Sequence, residues 1–345
     1  MVYSLRHFLF LGRGLSNENN TFKHPLVLED QATRLKPEIT AFLDKGAARL
    51  QAGEDVEETI AMVVDGLKKM RHALPTRLWK EFVTTECRRH PLIDLLHLDP
   101  LTLRSYTRLP GVSDADVLDF MFAGEAVYDS VATGDNAEVG RRIFRAVSNL
   151  EVSRAIRARM RVITKKLNEL VLWEVEPHVL SFQCGRLHEA TYCPAVRERR
   201  IGRYVAIDQD RENLAVVKRK LGACGVEAVH ASVNDLLSNR TSLAGFDFVY
   251  SMGAYDYLPD TRAQELTGLL FSLLNPGGRL LFTNFLPSLG DAGYMEAYMD
   301  WWLTYRTKAQ LLQLGAALPD EQIEFIHCFT EGTGYVAFVE IGRVS

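Results

Sequence analysis

Cysteine is scarce and unpaired in this chain: five residues in 345, at positions 87, 184, 193, 224 and 328, with no C-x-x-C among them. An odd, scattered set closes no disulfide framework and lacks the spacing of a structural zinc site, so the sequence predicts a reducing, cytoplasmic setting and no metal. Long apolar runs are missing too. Near the start, Phe8-Leu9-Phe10-Leu11 falls far short of the roughly 20 residues that a membrane helix needs, and no small-residue cleavage site follows, so neither membrane insertion nor secretion is expected. No charge of one sign dominates. Lys and Arg total 40 against 44 Asp and Glu, a net charge of −4, which leaves no basic face for nucleic acid or an anionic bilayer. A small molecule is the expected partner. What is abundant is hydrophobic sequence, 47% of the chain, enough for a sizeable core, and the length predicts two domains.

The two halves differ in period. From residue 36 to about 172 apolar side chains recur at helical intervals, as in Val56, Ile60, Val63, Val64 and Leu67, and Pro37 reads as a first-turn residue of a helix. Residues 1–150 are therefore expected to be a helical domain, with its first 30 or so residues a mobile arm around Ser16-Asn17-Glu18-Asn19-Asn20. Its apolar stripes need a surface to cover, either the strand ends of the second domain as a cap or a second copy in a homodimer. From 151 to 345 short apolar strands alternate with helices: candidate strands are 178–183, 203–208, 226–230, 246–251, 279–284, 322–329 and 335–341. That spacing predicts an α/β fold with a mostly parallel sheet, and the short turn-rich link 330–334 predicts a terminal antiparallel hairpin.

Four expected strand ends carry ligand-type residues, on the edge where open α/β sheets bind their ligands. The first runs into Cys184-Gly185-Arg186-Leu187-His188-Glu189, where Gly185 lets backbone N–H groups approach an anion. A full G-x-G-x-x-G is absent, so an ordinary strand-to-helix turn is an equal reading. The second ends at Asp208-Gln209, 23 residues after Gly185, close to the offset of a ribose-binding acid; Asp210 can cap the next helix and leave Asp208 free. Ser232 and Val233 after the third strand suit the two sides of an adenine ring. The fourth strand ends Ser251-Met252-Gly253-Ala254-Tyr255-Asp256-Tyr257.

In this order, with Phe246-Asp247-Phe248-Val249-Tyr250 and Asn275-Pro276-Gly277-Gly278-Arg279 completing the set, residues from about 171 to 342 resemble the class I S-adenosylmethionine-dependent methyltransferases. The resemblance implies a Rossmann-like seven-stranded sheet and S-adenosylmethionine as cofactor, held by Ser181, Cys184, Gly185, His188, Glu189, Asp208, Gln209, Ser232, Val233, Ser251 and Gly253. Ser181 stands where the family commonly has an acid near the methionine amino group. The stretches His90-Pro91-Leu92-Ile93-Asp94, Tyr255-Asp256-Tyr257-Leu258 and Trp301-Trp302-Leu303-Thr304-Tyr305-Arg306 resemble a bacterial subfamily with an N-terminal helical domain, some of whose members are named for making 3-hydroxy fatty acid methyl esters. Where that subfamily often has R-G-Y-x-G-D-A, this chain has 109–116, Leu-Pro-Gly-Val-Ser-Asp-Ala-Asp. A small acyl or amino-acid-like acceptor in secondary or signal metabolism is implied. Enzymes that cyclise S-adenosylmethionine to azetidine-2-carboxylate use a similar scaffold, so intramolecular displacement is the alternative.

Methyl transfer needs positioning and exclusion of water more than a base. Tyr255, Asp256, Tyr257 and Asn284 are the candidate reaction residues, with aromatic faces suited to a sulfonium and one tyrosine of the i, i+2 pair equally suited to core packing. Tyr128, Asn149, Tyr294, Trp301, Tyr305 and Arg306 are candidate acceptor contacts, Arg306 as a carboxylate fork; packing is the stronger expectation for Trp301 and Trp302. Cys184 is read as a turn residue, since no base accompanies it.

Overall fold

The computed structural model describes residues 25–108, 114–123, 128, 137–238 and 243–345, the side chains of 25–29 and 123 excepted. The expected N-terminal arm through residue 24, and Leu109–Ser113, lie outside the described residues. Two compact units emerge, one drawn from Met1–Leu109, Val117–Leu150 and Gly290–Trp302, the other from Pro110–Asp116, Glu151–Leu289 and Leu303–Ser345. Instead of a single cut at 150, the chain leaves the sheet unit after residue 289 and rejoins it at 303.

The helical unit is organised around α1 (Pro25–Gln51), α2 (Val56–Ala73) and α3 (Ala137–Ser148). Val56, Ile60, Val63, Leu67 and Met70 form the buried stripe of α2, and Asp55 caps it by accepting the Glu58 N–H at 3.0 Å. Pro37 lies inside α1 rather than at its start. Buried Leu35, Ile39 and Leu43 run through that point, so packing outweighs the backbone bond that proline removes. Residues 290–302 are held in this unit by buried polar contacts. The Glu296 carboxylate accepts Arg71 Nε and Nη2, both at 2.8 Å, and the Trp79 indole N–H at 2.6 Å. The Met299 carbonyl accepts the Ser105 hydroxyl at 2.8 Å.

The sheet unit opens with α4 (Glu151–Trp173) and β1 (His178–Phe182), followed by α5 (His188–Thr191) and α6 (Pro194–Arg197). Next come β2 (Arg203–Asp208), α7 (Arg211–Leu221), β3 (Val226–His230), α8 (Val233–Leu237), β4 (Phe246–Ser251) and α9 (Asp260–Ser272). Then β5 (Leu274–Phe285) and α10 (Lys308–Gln313) lead to the hairpin β6 (Ile323–Thr330) and β7 (Val336–Arg343). One seven-stranded sheet results, in the order β3-β2-β1-β4-β5-β7-β6, parallel from β3 to β5, with β7 antiparallel to both β5 and β6. It is the expected Rossmann-like methyltransferase sheet with a terminal antiparallel hairpin.

Strand alternation makes the two faces chemically unequal. Leu180, Phe182, Val205, Ile207, Val249, Leu280, Phe282 and Val339 join Leu236, Leu266, Leu270 and Leu311 of α8, α9 and α10 in one apolar core. The intervening Ser181, Tyr204, Tyr250, Thr283 and Glu340 are equally buried but polar. They meet partners from the α4 side: Lys166 Nζ reaches the Glu340 carboxylate at 2.8 and 2.9 Å, and Tyr250 donates to Glu189 Oε1 at 2.7 Å.

Candidate functional site

At the carboxyl end of β1 the chain turns sharply by alternating handedness. Gln183, Gly185 and Leu187 take φ of 53°, 54° and 52°, the left-handed region, although only one is glycine. Two bonds secure the turn: the Cys184 N–H donates to the Ile207 carbonyl at 2.9 Å and the Gly185 N–H to Asp208 Oδ2 at 2.8 Å. Asp208 Oδ1 accepts the Asp210 N–H at 2.8 Å, while Asp210 itself caps α7 through the Glu212 N–H at 2.8 Å. Asp210 is thus the helix cap that the sequence predicts, while Asp208 is engaged by backbone donors of the turn. Burial pushes the Asp208 carboxyl above its ordinary value, partly offset by those backbone donors. The Asn213 side chain is a third donor to this carboxylate, whose two oxygens offer about four acceptor sites in all.

The neighbouring strand ends complete the edge. Ser232 opens α8 in a reciprocal capping box with Asp235, which fixes Val233 as the first helical residue. Ser251, at the end of β4, is buried, and its hydroxyl has no hydrogen-bond partner among the described residues. A Cβ built on Gly185 or Gly253 would meet nothing within 4 Å, so both glycines border open space. An orphaned hydroxyl, an acid presented by two backbone donors and two open glycines fit a nucleoside carrying an amino-acid tail. Gln209 is exposed and its carbonyl lies 3.1 Å from His230 Nε2. His188 and Glu189 form the first turn of α5. Burial raises the Glu189 carboxyl, countered by the Tyr250 phenol, and Ser181 is buried in β1 opposite Tyr250 of β4. The Cys184 thiol is buried and pushed well up by desolvation and then by Asp208, which leaves no thiolate for nucleophilic chemistry.

Several expected reaction residues are structural. Tyr255 is fully buried, its ring 4.3 Å from Phe282 in a stack and its hydroxyl 3.1 Å from Thr267 Oγ1, so it belongs to the apolar core. Asp256 Oδ2 pairs with Arg159 Nη1 at 3.0 Å and Oδ1 accepts the Phe285 N–H at 2.9 Å. Asn284 donates to the Thr304 carbonyl at 2.7 Å and accepts Arg306 Nη1 at 2.7 Å. Arg306 is 1% exposed and also holds Asp260 Oδ1 at 2.8 Å and the Tyr255 and Leu258 carbonyls, so its guanidinium is a buried clamp on the β4 loop rather than a fork for substrate. Tyr257 differs: it is 47% exposed and donates to the Asp114 carboxylate. Arg186, in the β1 turn, pairs with Asp116. Tyr305 is half-buried beside Arg306.

Four candidate acceptor contacts fall in the helical unit. Tyr294 is buried with its hydroxyl 3.1 Å from Thr102 Oγ1, Trp301 is buried, Tyr128 donates to the Ala137 carbonyl at 2.6 Å, and exposed Asn149 donates to the Arg145 carbonyl at 2.9 Å. Sequence reasoning missed Gln183, Arg159, Asp114 and Asp116. Gln183 carried no signal because its residue type does not announce its backbone, and the other three act through partners about 70 to 143 residues away.

Residues 179–278 match a methyltransferase domain. The match runs from β1 into β5 and takes in the β1 turn, Asp208, Ser232, Ser251, Gly253 and Tyr257. Similar solved structures include a "possible exported protein" from Bordetella parapertussis, 19% identical, covering 73% of this chain and 96% of that one with a TM-score of 0.49. Magnesium protoporphyrin IX methyltransferase from Synechocystis PCC 6803 is 14% identical, covering 56% and 87% with a TM-score of 0.42. The N-methyltransferase NodS from Bradyrhizobium japonicum WM9 is 13% identical, covering 54% and 97% with a TM-score of 0.39. No curated protein matches the sequence. No helix among the described residues is long and apolar enough to cross a membrane.

Proposed function

We propose that this protein is a methyltransferase that binds S-adenosylmethionine at the carboxyl edge of β1 to β4 and passes its methyl group to a small-molecule acceptor. The observation that carries this reading is the left-handed β1 turn hydrogen-bonded to Asp208. A turn with strained non-glycine residues persists where its geometry is used. In this reading Asp208 holds the ribose hydroxyls, Ser232 and Val233 border the adenine, and Gly185 and Gly253 allow close backbone approach to the ligand's tail. The Ser251 hydroxyl gains the partner it lacks. Bound there, the cofactor supplies a methyl carbon activated by its sulfonium. Tyr257, oriented by Asp114, is the side chain on the rim suited to touch the acceptor. A small acyl or amino-acid-like acceptor is supported by the resemblance of the stretches around His90 and Trp301 to the ester-forming subfamily.

The test is to incubate the full chain with S-adenosylmethionine, alone and with bacterial extract, and to identify the nucleoside product by mass spectrometry. S-adenosylhomocysteine formed only with extract is the expected result. Methylthioadenosine formed without extract above the uncatalysed background would instead make the cofactor itself the substrate of an intramolecular displacement.

A further inference from the structure

Among the described residues two arginines are buried, Arg159 at 7% exposure and Arg306 at 1%, and both meet the loop after β4. Their donors are engaged very unequally. Arg306 commits Nε, Nη1 and Nη2 to Asp260, Asn284 and the Tyr255 and Leu258 carbonyls. Arg159, on α4, uses one nitrogen: Nη1 donates to Asp256 Oδ2 at 3.0 Å and lies 3.5 Å from Thr283 Oγ1. Its Nε and Nη2, which carry the greater part of the donors of a guanidinium, have no partner among the described residues. Unmade bonds on a buried charged group are costly, and folded proteins leave few of them.

The group is fixed in place and sits beside the ligand edge. Its central carbon lies 5.2 Å from the centre of the Phe285 ring, and Asp256 is held in turn by the Phe285 N–H at 2.9 Å. The Thr283 hydroxyl donates to the Met252 carbonyl at 2.6 Å. Met252 stands between Ser251, whose hydroxyl also has no partner among the described residues, and Gly253, which borders open space. The local charge selects the ligand. Buried Asp256 and Glu189 both act electrostatically on Arg159, so a phosphate dianion would add two further negative charges to a site with one cation between two acids. A carboxylate adds a single charge and matches the planar fork of Nε and Nη2.

We propose that Arg159 is the carboxylate-binding residue of this edge: with Nη1 held by Asp256, its Nε and Nη2 form the fork that takes the carboxylate of a bound ligand. Asp256 is then a positioning residue, which sets the plane of the guanidinium before the ligand arrives. The inference rests on the reading of the edge as a methyltransferase site, where two ligands carry this chemistry: the amino-acid end of the S-adenosyl cofactor and a carboxylic acid acceptor.

Calorimetric titration of the full chain tests it in two comparisons: S-adenosylhomocysteine against its decarboxylated analogue, and, with S-adenosylhomocysteine bound, straight-chain carboxylates from butanoate to decanoate, each against its own amide. The wild type is expected to prefer the carboxylate by about 10-fold or more in one of them, and the comparison that shows the preference names the source. Arg159→Met combined with Asp256→Asn withdraws both charges, so that neither is left buried alone; this variant should keep the wild-type circular dichroism spectrum and bind the two members of that pair alike. Arg159→Lys, a point charge without the fork, should keep only part of the preference. No preference in either comparison, or one that survives the double substitution, would overturn the proposal. Failure of the methyltransferase reading looks different: neither S-adenosyl compound binds, and the carboxylate series repeated on the free chain still decides for or against Arg159.

Discussion

Gln183 adopts φ of 53° between β1 and Gly185, a conformation that costs a non-glycine residue roughly 1 kcal/mol or more. Gln183→Gly should therefore stabilise the fold by about 1 kcal/mol in urea denaturation. Gly185→Ala should cost a similar amount, since its Cβ has room but its φ of 54° does not suit alanine. Equal stability of both variants would mean that the turn relaxes. Ser251 carries the opposite tension: removing a buried hydroxyl that has no partner should stabilise the apo protein by about 1 kcal/mol while weakening S-adenosylmethionine binding. Calorimetry on Ser251→Ala reads both quantities, and a loss of stability would reveal an internal partner. Asp208→Ala should weaken cofactor binding strongly, and unchanged affinity would remove the ribose assignment. At this scale the sequence was legible where type and task coincide. Gly185 and Asp208 declare themselves, but Tyr255 and Tyr257 are the same residue two positions apart, and only the core around Phe282 separates their fates.

Elements on the sheet's α4 side are joined by charge and those on the other side by hydrocarbon. Period and β-branching gave the strands within a residue or two, except at β5, which begins at Leu274 because Phe246 pairs there across an irregular register. What no period conveys is that Arg306 clamps the β4 loop. Arg306→Lys keeps the charge but cannot serve Asp260, two carbonyls and Asn284 together. A loss of about 3 kcal/mol is expected in denaturant melts, with Asp260, 66% exposed, the partner that water can replace. The short helix Pro100–Tyr106 of the other unit carries a pH effect. Its cap, Asp99, is fully buried, and desolvation lifts its carboxyl from 3.8 to about 6. An acid with a raised value favours the fold when protonated, so this contribution is present below 3.8 and is lost as pH rises through about 6. The helical unit should melt at a lower temperature at pH 7 than its other groups alone would dictate, and Asp99→Asn should flatten that slope between those values. An unaltered slope by circular dichroism would show that water reaches Asp99.

Across the whole molecule the division of labour follows the chain only in part. The change from helical to strand periodicity after about residue 172 is visible in the sequence, whereas the return of residues 290–302 to the helical unit is not, because Glu296 reveals its place only through Arg71 and Trp79, 225 and 217 residues earlier. A chain beginning at 151 would carry that segment without its partners, leaving a buried carboxylate, Tyr294 and Trp301 exposed. It should aggregate, and replacing 290–302 by a flexible linker should restore a soluble sheet unit; equal solubility of the two would mean that the segment is dispensable to its fold.

The same excursion bears on how the protein comes to exist on the ribosome. Synthesis delivers the helices of the first 150 residues early, but the carboxylate that Arg71 and Trp79 await is translated only after β1 to β5 have emerged. The segment made first is thus completed late, and a nascent chain halted before residue 290 holds a helical unit that cannot yet close.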